Sequence, residues 1–546
     1  MSKSMSKHPK ALPYLFLTEM WERFGYYLMI GIFLLYMKDT KAGGLGIDNK
    51  TAADIFGTFI ALVYLTPFVG GLLADRLLGY RLAITIGGVL MGLGYIGLAI
   101  PGYTAFYISL FLMILGNGFF KPNISTLLGN LYNTPEYKAN KDAGYNIFYM
   151  GINVGALICN FVAAYLRNNY GWGYAFAAAG IGMFVGVAVF WLGNKHYLEA
   201  DVRRPQLEGE KPVLYVLGSV LIPALIAGIL GWFIPDNIFG SNSTDAFLFS
   251  TLPILVFYLN IWYRAEKHEK EPIAALLSIY MVVILFWAIF KQNGTALTVW
   301  AESYTDREIP AAVMPIAEKM GMVENVTSEK AKYPNYDKNF RAAKDADGKV
   351  AKIDTISPYF INAPDKIPAK GSKLKLLSTE IFQSVNPFFV VVLTPIVVLI
   401  FAWFRRRKLE PSTAGKITIG LLITSLSSLI MVFAVYSCHN GLEKASASWL
   451  FYTYAIVTFG ELCLSPMGLS LVSKLAPARI AALMMGGWQL ATAIGNKLSG
   501  VLASLWDNYD NKANFFLLNA LLTLIAAAAL LLMLRWLNRV IKQYVE

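Results

Sequence analysis

The sequence predicts an all-α integral membrane protein: two six-helix bundles with a two-helix hairpin inserted between them. Three observations carry that reading. Of 546 residues, 56% are hydrophobic and only 15% are charged, a balance too apolar for an ordinary soluble chain. Apolar runs of about twenty residues, the length that crosses a hydrocarbon core, recur along nearly the whole chain. Six such runs, then two, then six more follow in order, so two comparable halves flank a central pair.

The first six spans are read at 11–37, 52–74, 80–100, 104–131, 143–166 and 173–194, within a unit of residues 1–195. The pair at 213–233 and 246–264 makes the hairpin of a unit over 196–270, which includes its basic linkers. The second set is read at 273–300, 379–404, 413–436, 447–474, 478–505 and 513–538. Its first helix occupies 271–300, a polar insert occupies 301–378, and the rest of the bundle occupies 379–546.

The net charge of +12 invites a nucleic-acid reading, but the basic residues punctuate the apolar spans. Lys3, Lys7 and Lys10 precede the first span, and Arg76 and Arg81 lie between the second and third. Lys195, Arg203, Arg204 and Lys211 precede the hairpin, and Arg264, Lys267 and Lys270 follow it. Arg405, Arg406, Arg407 and Lys408 follow the second span of the second half, and Arg535, Arg539 and Lys542 close the chain. Alternate loops carry few or no cations, so both termini are expected in the cytoplasm, with the bilayer and no nucleic acid as partner. Residues 1–10 are polar and basic and the first apolar run is too long for a signal-peptide core, so no cleavable signal is expected.

The 301–378 insert falls on the outer face and carries Pro310, Pro334, Pro358, Pro364 and Pro368. Lys344 through Lys349 reads as a solvated turn, because the later ligands of a calcium loop are missing. A passive loop is expected; the alternative is a small cap over the outer mouth. Cys159, Cys438 and Cys463 show no pairing or metal spacing, and no Walker A, HExxH or GxSxG motif occurs. No cofactor, metal or enzymatic activity is expected.

The chemistry concentrates in the first span. Glu19, Glu22, Arg23, Tyr26 and Tyr27 follow helical spacing and share one face. Each ionisable residue near the bilayer centre costs at least ~2.5 kcal/mol, so this stripe must face protein or water. A pathway through the membrane is one reading; a buried structural Glu22–Arg23 pair is the other.

This stretch resembles the ExxER signature of the proton-coupled oligopeptide transporters, a branch of the major facilitator superfamily. The resemblance recurs along the chain in order. Gly71 through Arg81 is similar to the facilitator loop between helices two and three, which implies a gating, helix-locking role for Asp75 and Arg76. Phe59 through Pro67 places Tyr64 at the family's binding-site tyrosine, Gly116 through Asn123 places Lys121 at its substrate lysine, and Phe148 through Gly155 places Asn153 at its asparagine. In the second half, Phe286 through Gln292 aligns Trp287 and Lys291 with the seventh core helix. Gln383 through Phe389 gives Asn386, Phe459 through Pro466 gives Glu461 and Ser465, and Gly486 through Gln489 gives Trp488. The resemblance implies a major facilitator fold in a bacterial inner membrane and a monomer that moves small peptides together with protons.

Elementary chemistry gives such a site a shape. A short peptide is a zwitterion with fixed ends and variable side chains, so a tolerant site clamps the ends and leaves roomy walls. Arg23 and Lys121 can take the carboxylate, Arg23 by a bidentate fork. Glu461 can take the ammonium, Asn153 and Asn386 the backbone, and Tyr26, Tyr27, Tyr64 and Trp488 can supply walls with polar edges. Taken singly, Tyr64 and Trp488 also read as packing, and Lys121 as a cation reaching for an interface. Glu19 and Glu22, tuned by Arg23, are the expected proton carriers.

Three positions depart from the family pattern. Gly57 stands where animal relatives carry a histidine, Ile30 where many relatives carry a second arginine, and Lys291 where many carry a carboxylate. Lys291 therefore needs a new anion; Glu22 is the expected partner, with Glu19 and Glu380 as alternatives, in a gating role. The expected function is proton-coupled import of di- and tripeptides by alternating access. The rivals are a carrier of another small anion or zwitterion, and a peptide-binding sensor without transport.

Overall fold

A computed structural model describes residues 8–40, 43–203, 212–477 and 480–545. Lys3, Lys7, Arg204 and Lys211, four of the cations used for topology, lie outside the described residues.

The first bundle comprises α1 (Leu12–Lys38), α2 (Asn49–Leu73), α3 (Tyr80–Gly97), α4 (Tyr103–Leu131), α5 (Lys141–Tyr170) and α6 (Trp172–Leu192). The hairpin is α7 (Val213–Trp232) and α8 (Asn242–Arg264). The second bundle opens with α9 (Lys267–Phe290), which continues through a 3₁₀ turn (Lys291–Gly294) into the short α10 (Ala296–Ser303). After α11 (Met314–Lys319) in the insert come α12 (Val385–Arg406), α13 (Thr413–Ser437), α14 (Ser448–Leu475), α15 (Ala481–Ser504) and α16 (Lys512–Val545). Among the described residues, 12 helical stretches are long and apolar enough to cross a bilayer. The 27-residue α1, with Glu19, Glu22 and Arg23 inside its span, and the 24-residue α15 complete the expected fourteen. Fourteen traversals return the chain to the face it started from, here the terminal face, with the insert on the opposite face.

The halves repeat one packing scheme. In the first, α1 lies against α5 and α6, α3 against α4 and α6, and α2 against α4. In the second, α9 lies against α15 and α16, α13 against α14 and α16, and α12 against α14. The halves meet along two seams. At the α2–α15 seam a Cβ on Gly57 would come within 2.7 Å of the Gly500 Cα, so only glycine permits this approach. That seam continues toward the terminal face, where Gly486 lies against the Phe68 ring. At the α5–α12 seam the contacts gather at the insert face.

The insert is a folded cap, not the passive loop expected. β2 (Val323–Thr327) pairs antiparallel with β5 (Lys373–Leu377), β3 (Ala331–Pro334) pairs with β4 (Lys352–Thr355), and β1 (Thr305–Asp306) runs parallel to β6 (Ala445–Ser446) of the α13–α14 loop. Val326, Tyr359, Phe360, Ala363 and Leu376 form its own small core. Five apolar residues scattered through a polar segment give no local signal; only pairing of distant strands assembles them. The Lys344–Lys349 stretch is a turn as expected, with Asp345 Oδ1 accepting from the Asp347 and Lys349 amides at 3.0 and 2.9 Å. The cap is tied to both bundles. Lys352 donates to the Thr40 carbonyl (2.7 Å) and Asn168 to the Val323 carbonyl (3.1 Å) on the first. Asn362 donates to the Gly441 carbonyl (3.0 Å), and Arg341 pairs with Asp510 (2.6 Å), on the second.

Candidate substrate cavity between the two halves

A cavity of about 440 Å³ lies between the bundles, within the roughly 300–1,000 Å³ usual for small-molecule sites. Arg23, Tyr26, Tyr27, Tyr64, Lys121 and Asn153 line it from the first half. Lys291, Asn386, Glu461 and Ser465 line it from the second. Residues more than 400 positions apart thus reach one space. Within the first half, α1 packs closely on α5: a Cβ on Gly155 would stand 2.4 Å from the Met20 carbonyl oxygen.

The stripe on α1 divides. Glu19 and Arg23, one turn apart, reach the cavity. Glu22 is fully buried and does not line it; it lies about 100° around the helix from Arg23. The Arg23 guanidinium is engaged by Glu22, with Nη2 donating to Oε1 at 2.6 Å and Nε donating to the other oxygen, and Glu19 stands at 3.4 Å. The fork expected to receive a substrate carboxylate is therefore already occupied.

Two ammonium groups are differently placed. The Lys121 Nζ lies 4.0 Å and the Lys291 Nζ 5.4 Å from the centre of the Tyr64 ring. Among the described residues, no carboxylate oxygen lies within 4 Å of either. The expected Lys291–Glu22 pair does not form, because Glu22 belongs to Arg23. Glu380 is also taken: fully buried, it faces Arg167 at 3.0 Å. Lys291 rests instead among the Tyr64, Trp287 and Phe290 rings, whose faces attract a cation.

Glu461 receives the Asn386 amide at 3.4 Å, and the same amide donates to Thr458 at 2.8 Å. Asn153 donates back to the Tyr149 carbonyl at 3.2 Å. Trp287 and Trp488 do not line the cavity. Trp488 is 3% exposed and packs edge-on to Tyr280, over Gly468, while Trp287 lies against Phe286 and Phe290. Asp75 and Arg76 sit in a π-helical turn (Ala74–Leu78) at the terminal face. There Tyr80 donates to Asp75 at 2.7 Å, and Asp201 accepts from the Tyr80 amide at 2.6 Å.

Among the lining residues that escaped the sequence reading are five polar ones: Ser125, Tyr149, Asn160, Asn293 and Gln383. Asn160 was within reach of it, being two turns from Asn153 on the same face of α5. Gln383 donates to the Asn293 carbonyl (2.6 Å) and Thr298 (2.7 Å), pinning the 3₁₀ turn that carries Lys291.

Access is one-sided. Toward the insert face, Asn160 donates to Ser384 (3.0 Å), Arg167 pairs with Glu380, and Asn168 donates to Ser378 (2.6 Å). Toward the terminal face, Tyr149 borders the cavity and is 51% exposed. Among the described residues, no group of three or more His, Cys, Asp or Glu could hold a metal ion.

The family model described as the POT family matches residues 81–323 and 372–524. A Bacillus subtilis protein named uncharacterized transporter YclF is 32% identical, over 99% of this chain and 96% of its own length. A di-/tripeptide transporter of Lactococcus lactis subsp. lactis is 30% identical, over 97% and 96%. A crystal structure of a mutant POT peptide transporter in complex with sulfate is 29% identical, with a TM-score of 0.75 over 98% of this chain and 97% of that one.

Proposed function

Because the chain belongs to the POT family, a family of membrane transporters, we propose that it imports di- and tripeptides into the cytoplasm with protons, by alternating access. The single observation that carries this reading is the cavity, in which two ammonium groups without an ion pair among the described residues and, from the second half, the Glu461 carboxylate reach a common space between the halves. A zwitterion of peptide length needs both signs. A simple anion carrier has no use for Glu461.

Lys121 and Lys291 take the substrate carboxylate. Two like charges around one phenol ring repel, and an anion between them replaces repulsion with attraction. Since Lys121 belongs to the first half and Lys291 to the second, substrate binding draws the halves together. Glu461 takes the ammonium, held ready by Asn386, while Asn153 and Ser465 meet the backbone and Tyr26, Tyr27 and Tyr64 form the walls. Trp287 and Trp488 act one step back, by packing behind Lys291 and α15.

Glu19 and Glu22, clamped by Arg23, carry the proton. A proton on either weakens the clamp, and deprotonation restores it. One charge moved inward gains ~2.3 kcal/mol per 100 mV of membrane potential. The cations on the terminal face, among them Lys195, Arg203, Arg264, Lys267 and Arg405–Lys408, support cytoplasmic termini in a bacterial inner membrane. The transporter works as a monomer, with Asp75 and Arg76 bracing the inner gate.

The test is uptake of radiolabelled dialanine into proteoliposomes with and without an inward proton gradient, against N-acetylated and C-amidated competitors. Free dialanine should accumulate only with the gradient, and either blocked analogue should compete at least tenfold less well. Competition that ignores the amine but needs the carboxylate would favour the anion-carrier reading, and peptide binding with no uptake would favour a sensor.

A further inference from the structure

Outside the lining of the cavity, the α2–α15 seam buries one ion pair. Lys497 on α15 is completely buried, with its Nζ 2.6 Å from Asp54 Oδ1 and 2.6 Å from Thr58 Oγ1, both on α2, and 3.0 Å from Ser243 Oγ on α8. Three N–H donors meet three oxygens. Asp54 also accepts from Ser241 (3.0 Å) and Thr244 (3.1 Å), and from the Ser243 hydroxyl. Ser241 is at the same time the N-cap of α8, accepting from the Thr244 amide at 3.2 Å. Three elements, one from each half and one from the hairpin, thus share one network, a single turn of α2 from the Gly57–Gly500 contact.

Other charge around Asp54 is sparse. Lys50, one turn earlier on α2, is exposed, and Asp245 on α8 is already bonded to the Ile238 and Phe239 amides of the hairpin loop. From α4, Tyr107 is the titratable group that senses Asp54. From α15, Lys497 alone faces it.

We propose that Asp54, Lys497 and the α8 hydroxyls form a proton-sensitive latch on the insert-face gate, and that this is the work of the inserted hairpin. The reading rests on alternating access as proposed above. When the halves part at the insert face, α15 carries Lys497 away from α2. An ionised Asp54 would then be left in a poorly hydrated seam without its counter-ion, which strongly opposes opening. A proton from the water on that face, bound at Oδ1 where Lys497 had been, removes the opposition. The hydroxyls of Ser241, Ser243 and Thr244 can donate to a carboxylate and accept from a carboxylic acid, so the hairpin solvates both forms. On closure Lys497 returns and the proton leaves to the same face. The latch therefore sets how readily the gate opens at a given external pH and adds nothing to the proton-to-peptide ratio.

The experiment measures nitroxide distances by electron paramagnetic resonance between Y103C on the first half and L442C on the second, both exposed on the insert face. The native cysteines are buried. In reconstituted wild-type background, the long-distance population should rise as external pH falls from 8 to 5.5. With Asp54→Asn it should be high and independent of pH, while dialanine still accumulates to within about twofold of wild type. Ser243→Ala, which removes a donor from the carboxylate, should move the midpoint to higher pH. Asp54→Asn with unchanged pH dependence overturns the proposal, and so does wild type without any. If Asp54→Asn fails to reconstitute, Asp54→Asn/Lys497→Met, which leaves no lone charge, decides. Its pH-independent opening supports the latch, and its failure to fold makes the pair structural and overturns it. Absence of gradient-driven uptake by the wild type would instead overturn the transport reading, whatever the distances do.

Discussion

The two seams between the halves are built on different principles. The α2–α15 seam is continuous: backbone meets backbone at Gly57 and Gly500, and packing persists to Phe68 and Gly486, about 17 Å further along the helix. The α5–α12 seam is closed only near the insert face, by hydrogen bonds and one ion pair, and falls open where Tyr149 borders the cavity. A seam that must part repeatedly is better made from polar contacts that water can replace, whereas a contact without side chains suits a surface on which two bodies rock. On the alternating-access reading the α5–α12 side is the mouth and the α2–α15 side the hinge: rocking about the Gly57–Gly500 contact parts the seam at its insert-face end, where the Asp54–Lys497 pair sits.

The hardest blow to this comparison is Arg167→Ala. It strands the fully buried Glu380 carboxylate, and loss of one partner from a buried pair costs roughly 3–5 kcal/mol. Thermal unfolding in detergent should show a large fall in Tm, recovered in good part by Arg167→Ala/Glu380→Gln. No recovery would mean that Arg167 acts by packing. Next in size are Lys121→Ala and Lys291→Ala in the cavity between the seams. Each removes a charge-assisted hydrogen bond worth roughly 1.5–3 kcal/mol, so apparent affinity for dialanine should drop at least tenfold, while the weak binding of dialanine amide stays unchanged. Equal loss for both ligands would remove the lysines from the carboxylate site.

Gly57→Val probes the hinge directly. Overpacking costs roughly 1–3 kcal/mol, and because the obstacle is backbone, no rotamer relieves it. Both Tm and exchange rate should fall, whereas Asn160→Ala at the mouth should cost nearer ~1 kcal/mol. A larger penalty at Asn160 than at Gly57 would reverse the assignment of hinge and mouth. The smallest effect is expected off both seams, in the α12–α13 loop. There hydrogen bonds from Arg405, then Lys416, hold the Glu410 carboxyl at about 2. A depressed pKa stabilises the fold above the ordinary carboxylate range and loses that contribution as pH falls toward 2. Glu410→Gln should flatten this acid limb of the Tm profile slightly and leave transport untouched.

Much of this was legible in the sequence, because the bilayer imposes a length and a hydropathy on each span. Even α1 could be placed, since its charges recur with helical spacing. What sequence could not supply was rotation and distance. Helical spacing puts Glu19, Glu22 and Arg23 on a common face, but that face is wide enough for Glu22 to turn into protein while the other two reach the cavity. Family resemblance brought Trp488 near the site, yet only packing against Tyr280 and Gly468 shows it behind the wall. Lys497 and Asp54 are 443 positions apart and belong to no motif, so nothing local joins them. The insert concealed its fold for the same reason: β2 finds β5 only across some fifty residues.

The cap over the insert face has a consequence for pharmacology. It grips Thr40 and Asn168 on one bundle and Gly441 and Asp510 on the other, so any outward excursion has to stretch or release it. A nanobody that clasped the cap together with either bundle would arrest the cycle from the insert face. It would do so without competing for the cavity, and its potency would be indifferent to how much peptide is present.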